Sequence, residues 1–167
     1  MINILILEDT QADFEKIVKF IGQIKGQDQI KIYPNISKEG TNKFKTQNYT
    51  SDWHYVREML EKKYSDDASK INDFFDEIMN TFKDINIYIV DINLIGLEDR
   101  LGIKFLEYVD IKSDDDKKEY VIISTDTYAG EISIDENKYC FISKYNSISN
   151  IERELIFRIE KLIKKQK

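Results

Sequence analysis

The sequence predicts an α/β fold, in which a doubly wound, five-stranded parallel sheet carries helices on both faces. Short, continuous apolar runs are typical of strands that are buried on both sides. They alternate with longer segments whose apolar residues recur at helical spacing, and this alternation predicts parallel strands joined by right-handed crossovers. The predicted strands are Asn3–Leu7, Ile30–Tyr33, Ile87–Val90, Tyr120–Ile123 and Tyr139–Ile142.

The helices are predicted from apolar residues that fall on one helical face. In the first, Phe14, Ile17, Val18 and Ile21 stand at positions i, i+3, i+4 and i+7. A weaker pattern of the same kind covers Asp126–Lys138. The predicted helices are Gln11–Ile24, Ser51–Lys63, Ala68–Phe82, Gly102–Val109 and Ile148–Lys164.

A helical insertion is predicted between the second and third strands, at about residues 35–82 of a single domain spanning 1–167. A simple crossover between parallel strands needs only about a dozen residues, and this connection is several times longer. Asn35–Asn48 is polar and predicts a loop. We expect Ala68–Phe82 to cover the sheet, because it leads directly into the third strand. Ser51–Lys63 would then pack outside it or serve as an interaction surface.

Composition limits the class of protein. The 167 residues suit one domain with a sizeable core, and the net charge of -6 argues against nucleic acid as a partner. The only cysteine, Cys140, lies in a predicted core strand, which fits a reducing compartment and disfavours a catalytic thiol. No apolar run approaches the ~20 residues of a membrane span, and the N-terminus lacks the pattern of a signal peptide. We therefore expect a cytoplasmic protein with no membrane partner.

Polar residues follow four of the predicted strands. Glu8 and Asp9 follow the first, Asp91 the third, Ser124 the fourth, and Lys144 comes shortly after the fifth. Ligands of open α/β sheets bind outside the carboxyl ends of the strands, so these side chains are expected to share one pocket. Three carboxylates held together repel one another unless a cation is present. The cluster therefore predicts a functional site rather than a solvated loop.

These residues resemble the site of the response-regulator receiver (CheY-like) domain of two-component signalling. The run Ile-Leu-Ile-Leu-Glu-Asp-Thr looks like the first strand of that family with its acidic pair, and Ile-Tyr-Ile-Val-Asp looks like the third strand with its phosphorylated aspartate. Val-Ile-Ile-Ser-Thr and Cys-Phe-Ile-Ser-Lys look like its fourth and fifth strands. The resemblance covers the chain outside the insertion and implies a flavodoxin-like sheet of order 2-1-3-4-5.

The resemblance also implies a magnesium site. Mg²⁺ takes oxygen ligands and keeps several of its waters. Asp9 and Asp91 would bind the ion directly, and Glu8 would act through a water molecule. The backbone carbonyl of Asn93 would be a further ligand.

The same resemblance implies roles in phosphoryl transfer and switching. Asp91 would be the phosphoacceptor, attacking a phosphoryl group to give an aspartyl phosphate. Lys144 would neutralise the charge on the phosphoryl oxygens, and the Ser124 hydroxyl would donate a hydrogen bond to one of them. Phe141 would be the switch aromatic that turns inward as the loop after Ser124 moves.

The expected function is that of a stand-alone receiver, a signalling protein rather than an enzyme. A histidine kinase or a phosphotransfer protein would phosphorylate it, and its output would pass through contacts with a further protein. The resemblance leaves homodimer formation open.

Two alternatives remain. A pseudo-receiver that signals without phosphate is favoured by the insertion and by Tyr145, which stands where the family usually has proline. A magnesium-dependent phosphatase or nucleic-acid enzyme is disfavoured, because Asp91-Ile92-Asn93 is not the usual Asp-x-Asp and no Walker-type glycine loop is present.

Overall fold

A computed structural model of the chain describes residues 1–24, 27–36, 51–96, 100–113, 118–124, 139–144 and 148–165. Its five strands form one parallel sheet in the order β2-β1-β3-β4-β5, which confirms the predicted fold class and strand order. The strands are β1 Ile2–Leu7, β2 Ile30–Tyr33, β3 Ile87–Asp91, β4 Glu119–Ser124 and β5 Tyr139–Ser143.

Five α-helices lie in the described part of the chain. Helix α1 ends at Ile21 rather than at the predicted Ile24, because Gly22, a residue of low helix propensity, takes the C-cap position. The predicted helix 126–138 and most of the predicted loop 35–48 lie outside the described residues. The helices are α1 Gln11–Ile21, α2 Asp52–Asp66, α3 Ile71–Thr81, α4 Leu101–Lys112 and α5 Ile148–Lys165, with short 3₁₀ turns at Gln27–Gln29, Ala68–Lys70 and Leu94–Gly96.

The helices cover both faces of the sheet, which explains the continuous apolar runs of the strands. Successive side chains of a strand point to opposite faces, so both faces of β1 and β3 must be apolar. On one face, α1 and α5 pack against strand residues that include Ile4, Ile6, Ile87 and Ile89. On the other, α2, α3 and α4 pack against strand residues that include Leu5, Leu7, Tyr88 and Val90.

Helix α2 lies against the sheet, which corrects the expectation that Ser51–Lys63 would pack outside the following helix. Trp53, Val56 and Leu60 are buried, and together with Ile6 and Leu7 they line one small cavity at the carboxyl end of β1. Leaving this apolar face away from the sheet would cost the free energy that its burial supplies. Helix α2, an element of the insertion, is therefore part of the core.

None of the helices in the described ranges combines the length and the apolar character needed to cross a lipid bilayer.

Candidate functional site

The carboxyl ends of β1 and β3 bring three carboxylates together. The two strands pair with Leu7 opposite Val90, so the next residues along each chain segment, Glu8 just after β1 and Asp91 at the end of β3, fall at the same level of the sheet. One carboxylate oxygen each from Glu8, Asp9 and Asp91 lie within 4.8 Å of one another. We call these three residues the acidic cluster. The pairing register, which the apolar strands fix, thus creates this concentration of negative charge.

Lys144 reaches the acidic cluster from beyond β5. Its Nζ lies 2.8 Å from Asp91 Oδ2 and 2.9 Å from Glu8 Oε2. A third carboxylate, Asp13 Oδ2 of helix α1, lies 3.5 Å from the same nitrogen. The backbone of Lys144 is anchored as well, because its N–H donates to the carbonyl oxygen of Ser124 at 2.7 Å. Through these contacts, Lys144 links the carboxyl ends of β1, β3, β4 and β5 with the first turn of α1.

Burial controls the charge of this site. The pKa of Glu8 is raised to about 7, chiefly by burial and also by the nearby charge of Asp91, although Lys144 and the Thr10 amide oppose the shift. Burial lowers the pKa of Lys144, but attraction to Glu8 and hydrogen bonds with Asp91 and Glu8 outweigh it, so the pKa is raised overall. Lys144 is thus an ammonium group at neutral pH. The surrounding carboxylates favour positive charge at this position.

The donor set of the acidic cluster fits Mg²⁺. Its three side chains offer carboxylate oxygens, the hard ligands that this ion prefers, and Asp9 remains partly exposed to solvent, from which the ion would keep waters. Asn93 stands in the turn directly after β3, and its N–H donates to Asp91 Oδ1 at 3.4 Å. Ligation of the ion by the Asn93 carbonyl stays a prediction.

The two residues predicted to switch lie on β4 and β5, Ser124 at the carboxyl end of β4 and Phe141 in the middle of β5. Ser124 is fully buried as the last residue of β4 and pairs in register with Ser143. Phe141 is half-buried on β5 and packs against the apolar cluster beneath α3 and α4. Their switching roles stay predictions, and Tyr145 lies outside the described residues.

Gly102 is a residue whose role at the site was missed in the sequence. A Cβ at this position would overlap the carbonyl oxygen of Asp91 and lie 2.8 Å from Val90 Cγ1. The Gly102 N–H also donates to the Ile92 carbonyl at 3.0 Å. The first turn of α4 therefore rests on the backbone of Asp91. The sequence signal for this close approach was a glycine at the start of a predicted helix, where most residues carry a side chain.

Two residues of α2 were also missed as site residues. Trp53 Nε1 donates to the carbonyl oxygen of Glu8 at 2.9 Å, and Arg57 Nε donates to that of Asp9 at 3.2 Å. The sequence predicts only that both residues lie in the helix Ser51–Lys63. Their spacing of four residues, which places them on one side of a helix, was the available signal.

Comparison with known proteins identifies the fold. No protein-family model matches the chain, and no curated protein matches its sequence. Among solved structures, the response regulatory domain of protein mrkE from Klebsiella pneumoniae is similar, with a TM-score of 0.52 and 13% identity over 96% of this chain and 99% of that one. A CheY-like response regulator receiver domain protein from Methanospirillum hungatei JF-1 aligns at a TM-score of 0.49 and 10% identity, covering 97% of each chain.

The first of these alignments spans nearly all of both chains, although few residues are identical. The sheet order and the helices on both faces agree with it. The chain therefore has the fold of a response regulator receiver domain.

Proposed function

We propose that this chain is a cytoplasmic response regulator receiver that accepts a phosphoryl group on Asp91 from a histidine kinase or phosphotransfer protein. Its output would be a protein–protein contact rather than a reaction that it catalyses on other molecules. The observation that carries the proposal is the convergence of the Lys144 ammonium on Asp91 and Glu8, at 2.8 and 2.9 Å, beside the acidic cluster. This arrangement combines a nucleophilic carboxylate, a fixed cation and oxygen ligands for a second cation.

The chemistry required of Asp91 is a single displacement at phosphorus. A carboxylate oxygen attacks the phosphoryl group, an O–P bond forms, and the bond from phosphorus to the donor nitrogen or oxygen breaks with its electron pair leaving on the donor. Charge is spread over the phosphoryl oxygens as this happens, so positioned cations lower the barrier. Lys144 supports this step because its ammonium already lies beside Asp91.

Magnesium is part of the proposal, with Glu8, Asp9 and Asp91 holding it. Bound there, the ion would supply positive charge to the phosphoryl oxygens and to the acidic cluster. The contribution of this chain is to hold the three carboxylates close together before the ion arrives. The register of β1 and β3 supports that role.

The test is incubation with acetyl phosphate and Mg²⁺, followed by intact mass measurement. We expect the wild-type chain to gain one phosphoryl group, and Asp91→Asn to gain none. Asp110→Asn, which changes a carboxylate on α4 away from the acidic cluster, is a matched control and should gain one. A phosphoryl group that persists in Asp91→Asn would refute Asp91 as the acceptor.

A second candidate function is a pseudo-receiver that binds its partner without phosphorylation. The observation that favours it is the packing of α2, an element of the insertion, directly on the strand that carries Glu8 and Asp9. A chain that folds and binds Mg²⁺, but gains no phosphoryl group from acetyl phosphate or from phosphorylated histidine kinases, would favour this alternative.

A further inference from the structure

Helix α2 is fixed at its N-terminus next to the site. Ser51 occupies the N-cap position, and its hydroxyl accepts a hydrogen bond from the His54 N–H. The Trp53 N–H donates to the Asn35 carbonyl just beyond β2, at 3.0 Å. Ser51, Asp52 and Trp53 are all buried. This end of α2 therefore has a defined position relative to the sheet.

From that position, two side chains of α2 bind two consecutive backbone carbonyls of the acidic pair. Trp53 donates to Glu8 and Arg57 donates to Asp9, at 2.9 and 3.2 Å. Both carbonyls follow the last residue of β1, Leu7, where the ladder of the sheet no longer supplies donors. The bond from Trp53 is buried, and its indole also packs against Phe14 of α1, with ring centroids 5.9 Å apart.

We propose that Trp53 and Arg57 are positioning residues that hold the backbone of Glu8 and Asp9 so that both carboxylates face Asp91. The inference rests on the proposed function, because it concerns how the acidic cluster is prepared to bind Mg²⁺. A ligand set that is fixed before binding loses less conformational freedom when the ion arrives. The insertion would thus take part in cation binding through the backbone of Glu8 and Asp9 rather than as a ligand.

The direction in which the Mg²⁺ affinity changes when Arg57 is removed distinguishes positioning from simple electrostatics. Arg57 carries a positive charge close to Asp9, so its removal by charge alone would strengthen the binding of Mg²⁺. Loss of the hydrogen bond that positions the Asp9 backbone would instead weaken the binding of Mg²⁺. The ion pair of Arg57 with Glu61, at 3.5 Å between half-exposed side chains, contributes little to stability and does not confuse this comparison.

The experiment measures Mg²⁺ affinity by titration calorimetry in the wild type, Trp53→Phe, Arg57→Met and Lys62→Met. Trp53→Phe keeps an aromatic ring against Phe14 but removes the donor, and Lys62→Met removes a charge from an exposed position of the same helix. We expect Trp53→Phe and Arg57→Met each to weaken binding about fivefold, as the loss of one hydrogen bond implies. Lys62→Met should bind like the wild type, and Arg57→Lys, which keeps a donor, should recover part of the affinity.

A second readout distinguishes positioning from general destabilisation. Phosphorylation by acetyl phosphate should require more Mg²⁺ in Arg57→Met, but should reach the wild-type rate when Mg²⁺ is saturating. A purely structural role would lower the unfolding temperature without moving the Mg²⁺ dependence. Trp53 is the only tryptophan, so its fluorescence can follow the same titration in the Arg57 variants.

Affinities of Trp53→Phe and Arg57→Met equal to or tighter than the wild type would overturn the inference. A wild-type chain that binds no Mg²⁺ would overturn it as well. If the wild-type chain binds Mg²⁺ but gains no phosphoryl group, the proposed function fails and the affinities alone still decide the positioning role.

Discussion

At the scale of single residues, the site depends on placing charge where water is largely excluded. Glu8 is only 4% exposed and Asp91 only 8%, so neither carboxylate can rely on solvent for its stabilisation. Lys144 supplies part of that stabilisation, and it does so from a side chain that is itself mostly buried. Removing one partner of such a group leaves the others uncompensated, which costs more than losing an exposed ion pair.

Glu8 should make the stability of the folded chain depend on pH. Its pKa is raised by burial from 4.5 to about 7 on folding, so the folded state holds this proton more tightly than the unfolded state does. The corresponding stabilisation is fully present below pH 4.5 and is lost as the pH rises through about 7. Without divalent cations, we expect the free energy of unfolding to fall by at most about 3 kcal/mol between about pH 5 and pH 8, measured by urea unfolding.

The glutamine variant isolates this effect from the other titrating groups. Glu8→Gln cannot ionise, so its unfolding free energy should vary less over the same range. Glu58→Gln, at an exposed position of α2, should keep the wild-type dependence. The raised pKa of Lys144 acts only at alkaline pH and does not contribute in this range. An unchanged slope in Glu8→Gln would contradict the assignment.

Sequence reasoning identified the charged residues of the site but not the groups that support them. Asp91 and Lys144 could be predicted because each follows a recognisable buried strand, and parallel strands place their carboxyl ends at one edge. Trp53 and Arg57 act on backbone carbonyls, and that contact depends on where α2 lies in space. Local periodicity shows which helix face is buried, but not what covers it.

At the scale of elements, the packing of α4 on β3 should not tolerate a side chain at Gly102. A Cβ there would overlap the Asp91 carbonyl, which is backbone and cannot rotate away. Gly102→Ala should therefore move the start of α4 off the strand and lower the free energy of unfolding by roughly 1–3 kcal/mol, a typical cost of overpacking. Urea unfolding measures this cost, and Lys104→Ala, exposed two residues further along α4, is the control.

The displacement should also reach the site, since the backbone against which the start of α4 packs belongs to Asp91. We expect Gly102→Ala to be phosphorylated more slowly than Lys104→Ala under identical conditions. A Gly102→Ala chain with wild-type stability and rate would show that α4 does not rest on Asp91 as described.

Deletion of residues 35–63 should abolish cooperative unfolding. It removes the part of α2 that carries the buried side chains of Trp53, Val56 and Leu60. The apolar residues of β1 and α3 that these side chains cover would then be exposed to water. Each of these large side chains contributes roughly 1.5–3 kcal/mol when buried, which together approaches the whole stability of a typical domain. Chemical unfolding followed by circular dichroism tests this. A sharp two-state transition in the deletion variant would show that α2 is dispensable.

At the scale of the whole molecule, strand order decides which residues can act together. β3 lies between β1 and β4, so the Asp91 carboxylate has Glu8 on one side and the end of β4 on the other. The local sequence pattern predicts that the strands are parallel but does not give their order. The order 2-1-3-4-5 came from the resemblance to receiver domains, and the structure confirms it.

Because the acidic cluster forms only when β1 and β3 pair, Mg²⁺ should bind the folded chain and stabilise it as a whole. At an ion concentration of about 100 times Kd, this linkage contributes about 2.7 kcal/mol, which raises the Tm of a chain of this size by roughly 5–10 °C. Thermal unfolding with MgCl₂, against NaCl of equal ionic strength, measures the shift. Asp9→Asn keeps a side chain of the same shape at a partly exposed position, so it should fold but lose most of the shift. An equal shift in Asp9→Asn, or in NaCl alone, would mean that general screening rather than the acidic cluster stabilises the fold.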